Sequence, residues 1–481
     1  MTDTPSPTHT PFPDLPGLLA TQRAACRAEP MPSEARRREW LGALQRFLHD
    51  HRGALCEAIA RDYGHRSHHE TLLTEVMPAL KEVEHALSHL RAWMKPRRRG
   101  VDRIAFGLAR NEVIPQPLGV VGVIVPWNFP VNLSFGPLAV ILAAGNRAMV
   151  KMSENSRALA ALLVKEMPAY LPTDVLAFVD ETGGVGPAFS QLPFNHLLFT
   201  GSAPTGRAVM ASAARNLCPV TLELGGRSPA LVCPDFDLRL AAERILYTKC
   251  LNAGQICTTV DHVFVPRDRV QDFVAMAREI VPARYASLES RDYTSIISPT
   301  AWRRLVDALD EAQASGATVI PLLPGAARDE AGHRLAPHVV VDAPADCALM
   351  QREIFGPILP VIGYDAIDTV VDTINASPHP LAFYPFTHDQ RLLQSLLERV
   401  MSGGVSVNDA LFHVAQSELP FGGVGESGMG HYHGPEGFAT FSKLRPVFHQ
   451  ARWATTGLLA PPYGRRVEQL IEFIMPRRKR T

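Results

Sequence analysis

Residues 223–233 read ELGGRSPALVC and residues 252–259 read NAGQICTT, and the rest of the chain is best understood from these two segments. Glu223 and Cys257 lie 34 residues apart. They are separated by a strand-like run, a helix-like run and a glycine-containing turn. A segment of this length allows the chain to run away from a site and come back to it. We therefore expect a candidate base, Glu223, and a candidate nucleophile, Cys257, to face one another.

Strand-like and helix-like segments alternate along the chain. The β-branched run LGVVGVIV at 118–125 is followed by the loop PWNFP, the helix-like NLSFGPLAVILAA and the strand-like RAMVKM. Further strand-like segments are LAFVD, HLLFTG, VTLEL and ALVC, at 176–180, 196–201, 220–224 and 230–233. This pattern predicts an α/β fold with a doubly wound parallel sheet, in which ligands bind at the carboxyl ends of strands.

Composition and charge limit the class of protein. A chain of 481 residues with 46% hydrophobic content is long enough for two or more lobes. The formal net charge is zero, and the basic clusters at 97–99 and 477–480 are short, so we expect no nucleic-acid partner. No apolar run approaches the roughly 20 residues that span a bilayer, which predicts no membrane span.

Cysteine usage and the amino terminus indicate the compartment. The seven cysteines are scattered and include no CxxC pair, which predicts a reducing, cytoplasmic location. The start MTDTPSPTHTPFPDLPG has neither the basic beginning nor the apolar core of a signal peptide. We expect residues 1–31 to form a flexible arm.

Several residues are candidates for chemistry. Cys257 lies in a small, polar, turn-like run, whereas the other cysteines are interpreted as buried hydrophobes. Asn128 directly follows a strand, where its amide could donate to an oxyanion or cap a turn. Glu223 lies in a largely apolar strand. It could be a base with a raised pKa or one partner of a structural salt bridge. The histidines near residue 65 are interpreted as a polar turn, and no metal site is predicted.

Seven motifs occur in one order over about 300 residues: PWNFP, KMSE, FTGS with Gly206, LELGG, NAGQIC, EIFGP and LPFGGVGESGMG. This set resembles the NAD(P)-dependent aldehyde dehydrogenases. GHRS near residue 65 and the segment from FHVAQSELPFGG to residue 443 are most similar to the coniferyl aldehyde dehydrogenase branch, which is related to the class 3 enzymes.

The resemblance implies a mechanism. Cys257 would add to the aldehyde carbonyl, and the oxyanion of the thiohemiacetal would be held by the Asn128 side chain and the Cys257 backbone N–H. Hydride transfer would leave a thioester, and Glu223 would activate the water that hydrolyses it. Two alternatives remain. The first is a coenzyme A-acylating enzyme, which the presence of Glu223 disfavours. The second is an NAD-binding or structural homologue that has lost its activity, which the presence of Cys257, Glu223 and Asn128 disfavours.

The resemblance also implies cofactor and substrate contacts. The cofactor residues would be Trp127, Lys151, Glu154, Gly201, Ser202, Gly206, Glu353 and Phe355. A carboxylate at Glu154 would repel a 2′-phosphate, so we expect NAD, with NADP possible but less favoured. The substrate would be an aromatic aldehyde such as coniferyl aldehyde, or a medium-chain aliphatic one. Phe129, Phe135 and Phe412 are candidates for an apolar entrance, although each could equally belong to the core.

The implied architecture is an aldehyde dehydrogenase-like fold with a parallel-sheet cofactor domain, an α/β catalytic domain and a small β-element for oligomerisation. The predicted bounds are an NAD-binding domain at 32–100 and 118–222, a catalytic domain at 223–425, an oligomerisation element at 101–117 and 440–455, and a tail at 456–481. We expect a homodimer, with a tetramer as the less favoured alternative.

Overall fold

The computed structural model describes residues 13–181, 183–452, 457 and 460–475. In chain order the helices within these residues are α1 (Leu15–Ala28), α2 (Glu34–Asp50), α3 (Arg52–Tyr63), α4 (His68–Thr71), α5 (Met77–Met94), α6 (Arg103–Phe106), α7 (Asn132–Ala143), α8 (Arg157–Glu166), α9 (Val185–Ser190), α10 (Ala203–Ala214), α11 (Leu238–Cys250), α12 (Val270–Arg284), α13 (Pro299–Ala314), α14 (Ala348–Gln351), α15 (Ile367–Asn375), α16 (Gln390–Arg399), α17 (Gly434–Thr440) and α18 (Arg465–Ile474). In this described part of the chain, no helix combines the length and the apolar character needed to cross a bilayer.

The strands within the same residues are β1 (Arg97–Arg99), β2 (Arg110–Pro117), β3 (Val120–Ile124), β4 (Arg147–Lys151), β5 (Leu176–Val179), β6 (His196–Gly201), β7 (Val220–Leu224), β8 (Pro229–Val232), β9 (His262–Pro266), β10 (Thr318–Pro321), β11 (Arg328–Asp329), β12 (Arg334–Leu335), β13 (His338–Val341), β14 (Ile358–Tyr364), β15 (Ala382–Phe386), β16 (Gly404–Val405), β17 (Gly428–Met429) and β18 (Ser442–His449).

The first sheet has the order β17-β7-β6-β3-β4-β5, and its strands are parallel except for β17. Val121 and Val123 of β3 pack into the core that contains α2, α5 and α7. Val120 and Ile124 point to the other face, where they pack with residues of α1, α9 and α10. Because alternate residues of a strand point to opposite faces, a strand covered on both sides is apolar throughout. The predicted doubly wound sheet is confirmed.

The second sheet has the order β10-β13-β14-β9-β8-β15-β16 and is parallel except at β10. The chain enters it through residues 225–228, between β7 and β8. Glu223 therefore belongs to the last parallel strand of the first sheet, and the crossing lies just after the predicted boundary at 223.

A glycine-rich segment, residues 419–430, returns the chain from the second sheet to the first. Its end forms β17, in which Gly428 pairs with Glu223 of β7. A Cβ on Gly428 would lie 2.4 Å from the carbonyl oxygen of Leu222, and one on Gly422 would lie 2.1 Å from that of Gly430. The glycines are needed because backbone approaches backbone at these positions.

The amino-terminal helix α1 corrects one prediction. Leu15 and Leu19 are buried on the first sheet, and Gln22 donates a 2.8 Å hydrogen bond to the carbonyl of Ala148 in β4. The flexible arm predicted for residues 1–31 is wrong from Leu15 onward, since the proline-rich start obscures an amphipathic repeat that Asp14 caps. Residues 1–12 of that arm lie outside the described residues.

A third sheet, β1-β2-β18, occupies the region predicted as an oligomerisation element. Strands β2 and β18 pair antiparallel over their full length, and β18 is an edge strand. Residues 453–455 of the predicted element lie outside the described residues, as do residues 456, 458, 459 and 476–481 of the predicted tail and the basic cluster 477–480. The described part of the tail contains the largely exposed helix α18.

Candidate active site

The turn that carries Cys257 follows α11 and has an unusual backbone. Asn252 and Ala253 have φ angles of 49° and 48°, in the left-handed region that residues with a Cβ rarely adopt. Asn252 Nδ2 donates to the carbonyl of Gln255 at 3.1 Å, and Gln255 Nε2 donates to the carbonyl of Asn252 at 2.9 Å. Each left-handed residue costs about 1–3 kcal/mol, and these reciprocal bonds stabilise the turn in one conformation.

Glu223 lies in β7 with its side chain enclosed by protein. The residue is only 2% exposed. Neither carboxylate oxygen has a hydrogen-bond partner among the described residues, so the alternative of a structural salt bridge does not hold there. Burial raises the pKa of Glu223 well above its usual range. A carboxyl group with a raised pKa and no partner is suited to take up a proton.

Cys257 lies where two cavities meet. We call the first, of about 260 Å³, the apolar cavity; its lining includes Phe129, Leu133, Tyr247, Ile256, Cys257 and Phe412. We call the second, of about 220 Å³, the polar cavity; its lining includes Trp127, Asn128, Gly201, Glu223, Cys257 and Glu353. A molecule in either cavity can reach the thiol.

The electrostatic surroundings of Cys257 oppose its ionisation. Burial, with smaller contributions from the charges of Glu353 and Glu223, raises the pKa of the thiol to about 12. The backbone N–H groups of Cys257 and Thr258 act in the opposite direction. Without ligands the thiol is therefore protonated at neutral pH, and its reaction requires a base or a neighbouring positive charge.

Asn128 follows β3 and is held through its backbone. Its carbonyl accepts hydrogen bonds from the Tyr63 hydroxyl at 3.1 Å, Arg66 Nη1 at 2.9 Å and Asn252 Nδ2 at 3.2 Å. Its side-chain Nδ2 makes only a long bond, 3.3 Å, to the carbonyl of Gln255. The side-chain amide thus faces the Cys257 turn and retains hydrogen-bonding capacity.

A buried charge network behind Asn128 is absent from the predictions. Arg66 Nη1 lies 3.0 Å from Glu75 Oε1, and neither side chain is exposed. Glu75 Oε2 also accepts from the backbone N–H groups of Val131 and Asn132 at 3.0 and 2.8 Å. The pattern of residues 63–70 predicts only a polar turn and gives Arg66 no role in the site.

A second carboxylate of this network, Glu70, supports the Cys257 turn. It accepts the backbone N–H of Asn252 at 2.9 Å and the Thr294 hydroxyl at 2.7 Å. Glu70 stands four residues after Arg66, with 3.7 Å between its carboxylate and the guanidinium Nε. The signal available in the sequence was an arginine two residues before a helix and a glutamate in its first turn. The network joins the Asn128 loop and the Cys257 turn in one rigid unit.

The opposite wall of the polar cavity is formed by the EIFGP segment. Phe355 packs edge-on against Trp127, with ring centroids 5.5 Å apart. Glu353 accepts the backbone N–H of Gly226 at 3.2 Å, and burial raises its pKa to about 8. A Cβ on Gly225 would lie 2.2 Å from the Glu353 carboxylate, so a larger residue there would displace this side chain.

Lys151 and Glu154 lie at the carboxyl end of β4, outside the set of residues that line the polar cavity. Lys151 Nζ contacts Glu181 at 2.8 Å and Glu154 at 3.9 Å. Glu181, which the predictions missed, also accepts backbone N–H groups of Val185 and Gly186 at the start of α9. The feature of the sequence that could have indicated Glu181 is its position as a carboxylate just after strand β5. The lysine is thus paired between two carboxylates.

The FTGS segment lies at the end of β6, and α10 begins immediately after it. Gly201 and Ser202 line the polar cavity. Gly206 lies inside α10, where a Cβ would come within 2.7 Å of Leu224. Gly206 therefore allows α10 to pack closely on the sheet, and the helix N-terminus, which favours anions, lies beside the cavity.

The three phenylalanines predicted at the substrate entrance divide into two groups. Phe129 and Phe412 line the apolar cavity, and Phe412 is 43% exposed and stacks on Tyr247 at 6.2 Å. Phe135 is fully buried in α7 and stacks on Phe47 at 5.7 Å. The entrance role predicted for Phe135 is therefore wrong, and its alternative role in the core is the one observed.

A parallel-sheet fold with cavities at the carboxyl ends of its strands is typical of proteins that bind a dinucleotide or another small molecule there. The model of the aldehyde dehydrogenase family matches residues 20–447. The chain is similar to a probable coniferyl aldehyde dehydrogenase of Pseudomonas aeruginosa, with 48% identity over 95% of each chain. It is also similar to the coniferyl aldehyde dehydrogenase of a Pseudomonas species, with 42% identity over 89% of each chain.

Among solved structures, the chain is similar to the substrate-bound AldH of Staphylococcus aureus, with a TM-score of 0.90, 30% identity, and coverage of 96% of this chain and 100% of that one. This chain belongs to the aldehyde dehydrogenase family. It oxidises an aldehyde to the carboxylic acid, and its family uses NAD or NADP as the oxidant. The predicted family, fold and reaction are confirmed.

Proposed function

We propose that this chain oxidises an aromatic aldehyde of the coniferyl aldehyde type with NAD, using Cys257 as the nucleophile. The observation that supports this proposal is that Cys257 lines both cavities. An aldehyde in the apolar cavity and a dinucleotide in the polar cavity would meet at its sulfur. Glu223 and Asn128 line the polar cavity beside it.

In the proposed mechanism, the positive charge of a nicotinamide in the polar cavity would favour loss of the Cys257 thiol proton to solvent. The resulting thiolate adds to the carbonyl carbon and forms a C–S bond. The oxygen that becomes negative accepts hydrogen bonds from Asn128 Nδ2 and the Cys257 N–H, each contributing about 10²–10³ in rate. When bound in the polar cavity, NAD would supply the acceptor for the hydride that leaves this carbon. Glu223 then removes a proton from the water that attacks the thioester; the C–S bond breaks, and the acid leaves.

The polar cavity has features that fit a dinucleotide. Gly201 and Gly225 leave backbone exposed where a Cβ would meet Phe199 or Glu353, and the start of α10 can receive a pyrophosphate. We infer a preference for NAD over NADP because Lys151 is already paired with Glu181 and Glu154. A 2′-phosphate near this cluster would meet two carboxylates and no free cation from Lys151.

The apolar cavity supports an aromatic substrate. Its lining is mainly hydrocarbon, and Phe129, Tyr247 and Phe412 offer ring surfaces for a planar substrate. Two relatives are named for coniferyl aldehyde. A medium-chain aliphatic aldehyde would also find apolar contacts there, so the two classes must be compared directly.

We further propose that the chain forms a homodimer in the cytoplasm. Strand β18 is the edge of the third sheet, with Leu444 and Phe448 each 48% exposed. An exposed edge strand with apolar side chains is suited to pair with a second copy. All seven cysteines are free, as expected in a reducing compartment.

The test is NADH formation by the purified protein with coniferyl aldehyde, benzaldehyde and hexanal, with NADP in parallel. We expect the highest kcat/KM for coniferyl aldehyde and for NAD. A higher value for hexanal would reject the aromatic substrate class, and a higher value for NADP would reject the cofactor preference. Adding coenzyme A should yield no acyl-coenzyme A, because Glu223 directs the thioester to water.

A further inference from the structure

Two histidines of α5 and one carboxylate converge at the surface, outside the catalytic site. His85 and His89 lie one turn apart on α5, and Glu418 lies in the loop 416–420. Glu418 Oε1 is 2.6 Å from His85 Nε2 and 3.4 Å from His89 Nε2. All three ligand atoms lie within 4.8 Å of one another. Two imidazoles and one carboxylate are thus gathered at one place on the surface.

The hydrogen bonds of His89 define which of its nitrogens is available. Its Nδ1 lies 2.9 Å from the backbone carbonyl of His85 and 2.9 Å from the hydroxyl of Ser88, which itself donates to that carbonyl at 2.8 Å; this arrangement favours the tautomer with the hydrogen on Nδ1. In neutral His89 the lone pair of Nε2 then points toward the Glu418 carboxylate. A cation between them could be bound by that lone pair and by a carboxylate oxygen. Histidines that bind metals commonly donate their other ring N–H to a carbonyl in this way.

The two imidazoles are held by packing, and the loop that carries Glu418 is held through the adjacent Ser417. Both imidazoles pack on Trp93, with ring centroids 5.4 Å away for His85 and 5.8 Å for His89. Next to Glu418, the Ser417 hydroxyl donates at 2.7 Å to Glu82, which precedes His85 on α5. The loop is therefore attached to the helix independently of Glu418. Such support reduces the entropy lost when an ion binds.

We propose that His85, His89 and Glu418 form a binding site for a divalent transition-metal ion, with Zn²⁺ as the best match. Two imidazole nitrogens and one carboxylate oxygen are ligands that Zn²⁺ accepts, with solvent at the fourth position. Ligand atoms of a tetrahedral zinc site lie about 3.3 Å apart, as follows from bond lengths near 2.0–2.1 Å. The 3.4 Å contact between His89 and Glu418 already has about this length. The 2.6 Å contact to His85 would lengthen, and the two imidazole nitrogens, which lie within 4.8 Å of each other, would adjust as Zn²⁺ binds.

The site has a consequence for the apolar cavity, which rests on the proposed function. Phe412 and Phe421, on either side of the loop 416–420, line this cavity, as do Met77 and Pro78 at the start of α5. A metal ion bound by Glu418 and the two histidines would fasten the loop to the helix. The ion would thereby hold two walls of the proposed aldehyde pocket together without touching the aldehyde.

The test is a Zn²⁺ titration of the full-length protein carrying Cys257→Ser, so that the reactive thiol does not bind the metal. After removal of metals by dialysis against a chelator, Zn²⁺ is added in competition with a chromophoric chelator. We expect one ion per chain, and at least tenfold weaker binding in His89→Gln and in Glu418→Gln. His69→Gln, which changes an exposed histidine elsewhere, should bind as the parent does.

Co²⁺ in place of Zn²⁺ should give a visible absorption band of four-coordinate geometry that His85→Gln removes. The proposal is overturned if the parent binds no ion, or if the three site variants bind as tightly as His69→Gln. In either case the cluster is a hydrogen-bonded group of surface side chains that binds no metal ion. The titration contains no aldehyde and no dinucleotide, so its result is independent of whether the proposed substrate is correct.

Discussion

The two cavities that meet at Cys257 are lined by different kinds of surface. The polar cavity is formed by strand ends and by glycines such as Gly201 and Gly225, where backbone itself is the surface. The apolar cavity is formed by side chains from separate segments near residues 73–78, 129–133, 247–258 and 411–433. The shape of the polar cavity is set by the position of a sheet edge. The shape of the apolar cavity is set by the packing of loops and helices that are distant in sequence.

This difference predicts how each cavity responds to change. A Cβ added at Gly201 or Gly225 in the polar cavity would lie within 2.6 Å of the Phe199 ring or the Glu353 carboxylate. In the apolar cavity, loss of one side chain leaves several others in contact with the substrate. Substitutions on the polar side should therefore have large and specific effects on NAD, and those on the apolar side smaller effects on the aldehyde.

The largest effect is expected where the cavities join. Cys257→Ser should lower kcat by roughly 10⁴ or more, because a serine hydroxyl is a far weaker nucleophile without a dedicated base. NADH formation measures the loss, and calorimetric titration should show unchanged NAD affinity. Retention of a tenth of the activity would contradict the assignment of Cys257.

Glu223→Gln should slow thioester hydrolysis by about 10²–10⁴. Its signature is a burst of one NADH per active site followed by a slow steady rate. A general base acts only when ionised, and burial raises the pKa of Glu223. In the unmodified protein kcat should therefore fall as the pH drops through that raised pKa, and the variant should lose this dependence. An unchanged pH profile would contradict the role.

Gly225→Ala tests the backbone-built cavity. The new Cβ would lie 2.2 Å from the Glu353 carboxylate, so we expect the KM for NAD to rise about tenfold, or about 1.4 kcal/mol. The matched control is Gly53→Ala, since a Cβ at Gly53 in α3 meets nothing within 4 Å. The control should retain the KM and gain up to about 1 kcal/mol of stability. An equal change in the KM for NAD in Gly225→Ala and Gly53→Ala would contradict the idea that the polar cavity depends on glycine at position 225.

Phe412→Ala and Phe135→Ala separate the apolar cavity from the core. Phe412 is partly exposed, so its loss should raise the KM for coniferyl aldehyde about fivefold, or about 1 kcal/mol, and leave stability nearly unchanged. Phe135→Ala should lower the free energy of unfolding by about 3–5 kcal/mol with little change in KM. Urea denaturation measures the free energy of unfolding, and steady-state kinetics measure the KM. A large loss of stability in Phe412→Ala with a raised KM in Phe135→Ala would contradict the roles given to these two residues.

The first sheet could be predicted because its strands are covered on both faces. LGVVGVIV and HLLFTG are continuous apolar runs, and parallel strands of this kind end at one edge of the sheet. That rule places Asn128 and Gly201 together before any coordinates are known. The pairing of Glu223 with Cys257 followed from the resemblance and from the length of chain between them.

The rest of the site could not be predicted because it depends on side-chain direction across elements distant in sequence. Helix α7 is buried around nearly its whole circumference, so no polar face indicates which way Phe135 points. Arg66 and Glu75 read as ordinary surface charges, and only the folded chain encloses them. The His85, His89 and Glu418 cluster joins a helix to a loop about 330 residues later, for which local patterns give no signal.

The pairing of β17 with β7 also has a consequence for biosynthesis. Glu223 acquires its second neighbouring strand only when Gly428 arrives, about 200 residues later in synthesis, which makes this a contact of very high sequence separation. Until then, β7 is an open edge able to pair with another nascent chain. A ribosome-bound chain that ends before residue 428 would therefore have an exposed aggregation edge next to an unfinished active site. The late strand serves as both a cover for the sheet and the final step of active-site assembly.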